Sequence, residues 1–277
     1  MTSDSSTLST PLTFSTTFPM SPCRVFWMPK AGNSPAEYED AFWPRQGRFF
    51  ESGPIRLAVA DGATETSFSG LWARLLVASY GHGRLTDEAA VDELRRIRRV
   101  WRRAVGQRPL PWYAEEKLRS GAFSSLAGLT ISAPGEDSED TGDWQATALG
   151  YSCVVQVRRS DFVCSFPFSH SDEFNSRPRL VSSLDQDDAV DLAANTISGR
   201  WQAGDVFYLM TDALACWCLR GVEVKEPVFE RLDALRTQAE FETFVTELRS
   251  TIDVEGKPPL KNDDVTLVRC AISSGER

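Results

Sequence analysis

The sequence predicts an α+β protein, and three observations carry that prediction. Apolar runs of strand length at 145–150, 153–157 and 162–166 follow one another with only short breaks. Separate stretches at 85–105, 213–219, 227–235 and 241–250 have helical patterning instead. A composition of 42% hydrophobic and 25% charged residues is that of an ordinary globular protein. The 277 residues suffice for one large domain or two small ones.

Charge and composition exclude several functions. A net charge of −9 argues against a general nucleic-acid binder or a protein of anionic membrane surfaces. Asp205 and Asp212 interrupt the most apolar stretch, so no membrane span is expected. None of the six cysteines forms a C-x-x-C pair, and most lie in apolar runs where a free thiol behaves as a small core residue. A reducing, cytoplasmic setting follows as the expectation. His82 and His170 are the two histidines, far apart, which disfavours a His-rich zinc site or a Ser-His-Asp hydrolase. A bound metal would be held mainly by oxygen.

Residues 1–21 are rich in Ser and Thr, lack the basic start and apolar block of a signal peptide, and are expected to form a flexible tail. A first strand is expected at 23–28 (CRVFWM), then a turn-rich segment at 29–35. At 37–44, EYEDAFWP places Glu39 and Asp40 directly before an apolar pair. These acids suit a solvated turn or a metal-facing pair.

The chain is organised around 56–76, RLAVADGATETSFSGLWARLL. A short β-type run, Leu57 to Ala60, breaks at Asp61-Gly62. Phe68, Leu71, Trp72, Leu75 and Leu76 then follow at helical spacing. Asp-Gly is commonly a plain turn. It can equally present a carboxylate and a bare carbonyl to one hard cation. The helix at 85–105 has Thr86 as its expected N-cap, acids early and arginines late. Its arginines are expected to form a solvated face.

Beyond it, 121–131 (GAFSSLAGLTI) has the small residues needed to pass close under a neighbour. Residues 135–142 read as an acidic hairpin tip and 170–181 as a polar loop. A buried strand at 206–210 ends at Thr211-Asp212, and Asp263-Asp264 precede the closing strand in KNDDVTLVRC.

Asp61, Asp212 and Asp263, with Glu39-Asp40 as a fourth case, thus stand at the edges of β-type runs. One sheet edge could gather them. Two carboxylates about 5 Å apart repel by roughly 3 kcal/mol at an effective dielectric near 20. A cluster of four therefore needs divalent cations or raised pKa values. Oxygen-only ligands favour Mg²⁺ or Mn²⁺ over zinc, and paired ions of this kind attack phosphate esters.

These segments resemble the metal-dependent type 2C protein phosphatases, in particular their bacterial branch, over about 25–272. EYEDAF resembles the family's N-E-D-A motif and AVADGATE its V-A-D-G motif. GAFSSLAGLTI lies where the family has a Gly-Ser/Ala-Thr strand. GDVFYLMTDALACW resembles G-D-x-h-h-L-x-T-D-G-L-x-D, and NDDVTLV resembles the D-N/D-h-T-h-h segment.

The resemblance implies a four-layer αββα sandwich, two antiparallel sheets flanked by helices, in a single domain over 22–273. It implies a serine/threonine phosphatase of cytoplasmic signalling that acts on phosphoproteins, with a cognate kinase as a further partner. Two Mn²⁺ or Mg²⁺ ions would be held by Asp40, Asp61, Gly62, Asp212 and Asp263, with Glu39 and Asp264 in support. A hydroxide bridging the ions would attack phosphorus.

Departures from the pattern are part of the same expectation. Ala63 stands where many eukaryotic members carry a histidine that serves as a general acid. Tyr151, in ALGYSCVVQV, replaces the aspartate of the third metal position, so that site is in doubt. Ala213 replaces a glycine, and Cys216 lies near the motif's final acid. Lys30 or Arg24 is the candidate for the phosphate-binding cation. Two alternatives stay open: a catalytically weakened regulatory module that binds a partner, and a hydrolase of small phosphoesters or nucleotides.

Overall fold

Strand pairing places ten of the twelve strands among the described residues in two five-stranded sheets. The computed structural model describes residues 23–44, 54–63, 68–85, 89–106, 120–134, 140–175, 179–184, 195–252 and 256–273. The first sheet has the order β1 (Arg24–Met28), β12 (Val265–Ala271), β11 (Asp205–Met210), β7 (Cys153–Arg158) and β8 (Asp161–Phe166). In the second the order is β10 (Thr196–Gln202), β6 (Thr141–Leu149), β5 (Leu126–Ile131), β3 (Ile55–Ala60) and β2 (Ala41–Trp43). A small ladder joins β4 (Phe123–Ser124) to β9 (Val181–Ser182). All these pairings are antiparallel.

Alternation along the strands then builds three apolar layers. Val25, Val268, Leu209 and Phe207 of the first sheet meet Leu57, Val59, Leu129 and Trp144 of the second. The outer face of the second sheet packs on α1 (Ser69–Gly81) and α2 (Ala90–Gly106) through Ala58, Ala60, Trp72, Leu76 and Ile97. On the other side, Phe26, Val155, Tyr208 and Leu267 pack on α3 (Asp212–Glu223), α4 (Val228–Ala234) and α5 (Gln238–Ser250). The result is the expected αββα sandwich.

Local chemistry explains the elements. Thr237 caps α5 reciprocally: its hydroxyl accepts from the Glu240 N–H, and its own N–H donates to the Glu240 carboxylate. Trp72 is fully buried and its indole N–H donates to the Val181 carbonyl at 2.8 Å, so the ring enters the core without an orphaned donor. Gly128 admits the Tyr80 ring: a Cβ there would lie 2.3 Å from it.

Three expectations need correction. The helix expected from 85 begins at Ala90, and its Thr86 cap lies outside the described residues. Its arginines are not uniformly solvated. Arg98 is buried and donates to the Ser182 carbonyl, because it faces the sheet side of α2. The run at 196–202 forms the unanticipated β10; Gly199 at its centre lies under the Trp144 ring, where a side chain would collide. The 1–21 tail and the acids Glu136, Asp137 and Glu139 lie outside the described residues. No helix among the described residues is long and apolar enough to cross a membrane.

Candidate metal centre

Asp61 follows β3, and its backbone is fixed from both sides. Its N–H donates to Ser125 Oγ at 2.9 Å, and its carbonyl accepts from the Ser125 N–H at 2.9 Å and from Ser124 Oγ at 2.8 Å. Gly62 bridges to Ser124. A Cβ on Gly62 would lie 2.8 Å from both the Glu39 carbonyl oxygen and the Ser69 carbonyl carbon, so the Asp-Gly turn is wedged between the 39–40 segment and the start of α1. Glycine is required here by close backbone approach.

Asp40 immediately precedes β2, where the pairing of Ala41 with Ala60 sets it beside Asp61. It is buried, and Oδ2 accepts from Thr266 Oγ1 at 2.6 Å. Because that hydroxyl donates to Asp40, it accepts from the buried Tyr38 hydroxyl. Asp40 Oδ1 is buried and no donor reaches it. Burial first, and then the Asp61 charge, push the Asp40 carboxyl well above the ordinary range. Asp61 is pushed up in the same way by burial, then by Asp212 and Asp263.

Asp212 and Asp263 arrive from the other sheet. Thr211 and Thr266 tie the end of β11 to the start of β12: Thr266 N–H donates to Thr211 Oγ1 at 2.9 Å. Asp212 then opens α3, and its Oδ1 accepts from the Ala213 N–H at 2.6 Å. Burial and Asp263 raise its pKa, while Lys261 opposes the rise. Lys261 Nζ lies 2.6 Å from Asp263 Oδ2 and 3.6 Å from Asp212 Oδ2. Burial works against the lysine's charge, yet the two aspartates outweigh it and its pKa goes up to about 12.

The supporting acids have distinct roles. Asp264 accepts from the Lys30 N–H at 2.8 Å and the Glu39 N–H at 2.7 Å, which fixes both loops beside the site. Glu39 turns away from Asp40 to accept from Ser69 Oγ at the start of α1. The side chain of Lys30 lines a cavity of about 580 Å³ with Glu37, Tyr38, Glu39 and Arg74. Arg24 points to the helix layer and donates to the Leu235 carbonyl. The cation found against the aspartates is Lys261, which the sequence reading did not single out.

Tyr151 stacks on Phe174, with ring centroids 5.8 Å apart, and tilts against Phe168. With Asp212, Trp217, Arg220, Lys257 and Lys261 it lines a cavity of about 370 Å³. The third-metal position of the motif is thus an aromatic wall. Cys216 Sγ lies 3.8 Å from the Ser171 carbonyl.

The aspartates therefore form two pairs, Asp40 with Asp61 and Asp212 with Asp263, which act on one another through charge. Among the described residues, no three His, Cys, Asp or Glu side chains converge as a closed ligand group. The expected gathering is thus partial: Asp212 and Asp263 bond to Lys261 while Asp40 and Asp61 lie together. In chemistry the donor set fits a hard divalent cation. It is all oxygen and strongly anionic, and Oδ1 of the buried Asp40 lacks a partner.

No family model matches the sequence, and no curated protein matches it. Solved structures do. The Mycobacterium tuberculosis serine/threonine phosphatase PstP/Ppp is 16% identical with a TM-score of 0.51, over 92% of this chain and 100% of its own. The photosystem II phosphatase PBCP is 12% identical with a TM-score of 0.52, over 91% and 98%. The PPM Ser-Thr phosphatase MsPP from Mycobacterium smegmatis, solved in complex with cacodylate, is 11% identical with a TM-score of 0.50, over 92% and 99%. Identities this low speak for architecture alone, and at that level the resemblance read from the motifs holds: the chain has the fold of the PPM, or type 2C, serine/threonine phosphatases.

Proposed function

We propose that this protein is a divalent-metal-dependent phosphatase that hydrolyses phosphoserine and phosphothreonine in proteins. The observation that carries the proposal is the half-buried Asp61, its backbone fixed by Ser125 and its carboxyl set beside Asp40 and within the charge of Asp212 and Asp263. Asp61, Asp212, Asp263 and the Gly62 carbonyl would hold Mn²⁺ or Mg²⁺, with Asp40 supporting them. A metal bound there supplies Lewis-acid neutralisation of the phosphoryl charge during transfer to water.

The chain's own residues do the rest. The Tyr38–Thr266 hydrogen-bond relay fixes Asp40 through Oδ2 and leaves Oδ1 without a donor. Asp264 anchors the loops that carry Lys30 and Glu39. The cavity beside Asp212 offers an aromatic wall and the cations Arg220 and Lys257 to a phosphorylated peptide. Turnover of a phosphothreonine peptide in Mn²⁺ tests this. Asp61→Ala should lose at least about 100-fold, the scale on which electrostatic stabilisation of the transition state acts. Equal turnover by the variant would contradict it.

A weakened phosphatase that serves as a regulatory module is favoured by two specific observations. Tyr151 is committed to an aromatic stack, and Lys261 already pairs with Asp212 and Asp263. It predicts negligible turnover, a large gain in Tyr151→Asp, and capture of a kinase partner by the intact chain.

A further inference from the structure

The edge strand β1 runs antiparallel to β12 with Arg24 opposite Arg269 and Val25 opposite Val268. One step further along the same register, Cys23 stands opposite Cys270. Alternation places both thiols on one side. Arg24 and Arg269 turn outward, to Leu235 and Asp233. Val25, Val268 and Cys270 turn inward to the core between the sheets, and Cys23 packs against that core. The Cys23 side chain is a hydrogen-bonding neighbour of Cys270. Directly opposed residues of an antiparallel pair have Cα atoms about 4.5–5.5 Å apart, within the roughly 4.4–6.8 Å that a disulfide spans.

We propose that Cys23 and Cys270 are a redox-responsive pair that closes to an intrachain disulfide when the protein meets a low-molecular-weight disulfide such as oxidised glutathione. Cys23 is half-buried beside the edge strand, whereas Cys270 is fully buried, so attack begins at Cys23. The Cys23 thiolate attacks one glutathione sulfur, the glutathione S–S bond breaks, and one glutathione thiolate leaves. Cys270 gives up its proton and attacks Cys23 Sγ of the mixed disulfide, releasing the second glutathione. Two protein thiols are oxidised and one glutathione disulfide is reduced to two thiols. Burial holds the Cys270 thiol protonated, which makes the closing step the slow one.

The pair lies at the end of β1 and β12 remote from Met28 and Val265, hence remote from Asp263. Closure fixes the edge strand to its neighbour without touching the aspartates, and the inference is independent of the phosphatase proposal.

The full-length native protein is incubated with oxidised glutathione, its remaining thiols are alkylated, and it is digested without reductant for mass spectrometry. The expected product is the Cys23 peptide linked to the Cys270 peptide, with two alkylatable thiols lost and a melting temperature that rises until dithiothreitol reverses it. In Cys23→Ser, Cys270 should stay reduced. A glutathione adduct that persists on Cys23, a link from Cys23 to Cys164, or recovery of both thiols alkylated would overturn the proposal. The decisive digest is done on the unmutated chain, so the result does not depend on the variant folding.

Discussion

Asp61 and Ser125 are hydrogen-bonded twice, the Asp61 N–H to Ser125 Oγ and the Ser125 N–H to the Asp61 carbonyl, both at 2.9 Å. Through this pair the β3 terminus is fixed to β5, and Ser125 Oγ passes on to Ser152 Oγ at 2.6 Å. Removing one hydroxyl therefore loosens the residue on which the candidate site turns. Ser125→Ala should destabilise the fold by about 1–3 kcal/mol, since it strands a buried N–H. Phosphopeptide turnover should fall alongside the urea midpoint.

Lys261 is the cation that Asp212 and Asp263 already hold, and it is two-thirds exposed. Exposed pairs contribute up to about 1 kcal/mol. Lys261→Met should therefore tighten Mn²⁺ binding by roughly fivefold in a calorimetric titration. Unchanged or weaker binding would show that the ammonium does not compete for these carboxylates.

Asp205 is fully buried at the start of β11 and accepts from Arg158, Gln156 and the Gln202 N–H. Arg158→Met leaves this carboxylate without its charge partner. A loss of about 3–5 kcal/mol is expected in urea unfolding. The candidate site, at the other end of β11, should keep its metal affinity.

Glu93 on α2 accepts from Arg96 and from Ser79 Oγ, and these bonds, the Arg96 one foremost, hold its carboxyl below the ordinary range. A carboxyl depressed in the folded state adds stability above its unfolded pKa. That contribution disappears as pH falls through the folded value. Glu93→Gln should thus be less stable than the parent at neutral pH, with the difference closing in acid. A constant difference would mean that the charge contributes nothing.

Much of the architecture was legible because several strands are near-continuous apolar runs of strand length. Cys153–Arg158, Asp205–Met210 and Val265–Ala271 each lie where an apolar run predicts a strand. β10 was not, because its exposed polar positions and Gly199 hide a strand that packs chiefly through Trp201. Asp61, Asp40, Asp212 and Asp263 stood out by their places at strand ends. Lys261 did not: its partner Asp212 is distant in sequence, and a surface lysine carries no local signal. Tyr151 stood out as a departure from the motif, but its stack on Phe174 was not legible, because it depends on how the 171–175 turn folds back. Asp264 was expected as a supporting acid; its two backbone hydrogen bonds give that support the form of a loop anchor.

The most direct test is a calorimetric Mn²⁺ titration of the intact chain beside Asp61→Ala. Mn²⁺ should bind the parent, and the variant should lose that binding. Identical isotherms for the two proteins, or no Mn²⁺ binding by the parent, would contradict a metal centre built on Asp61.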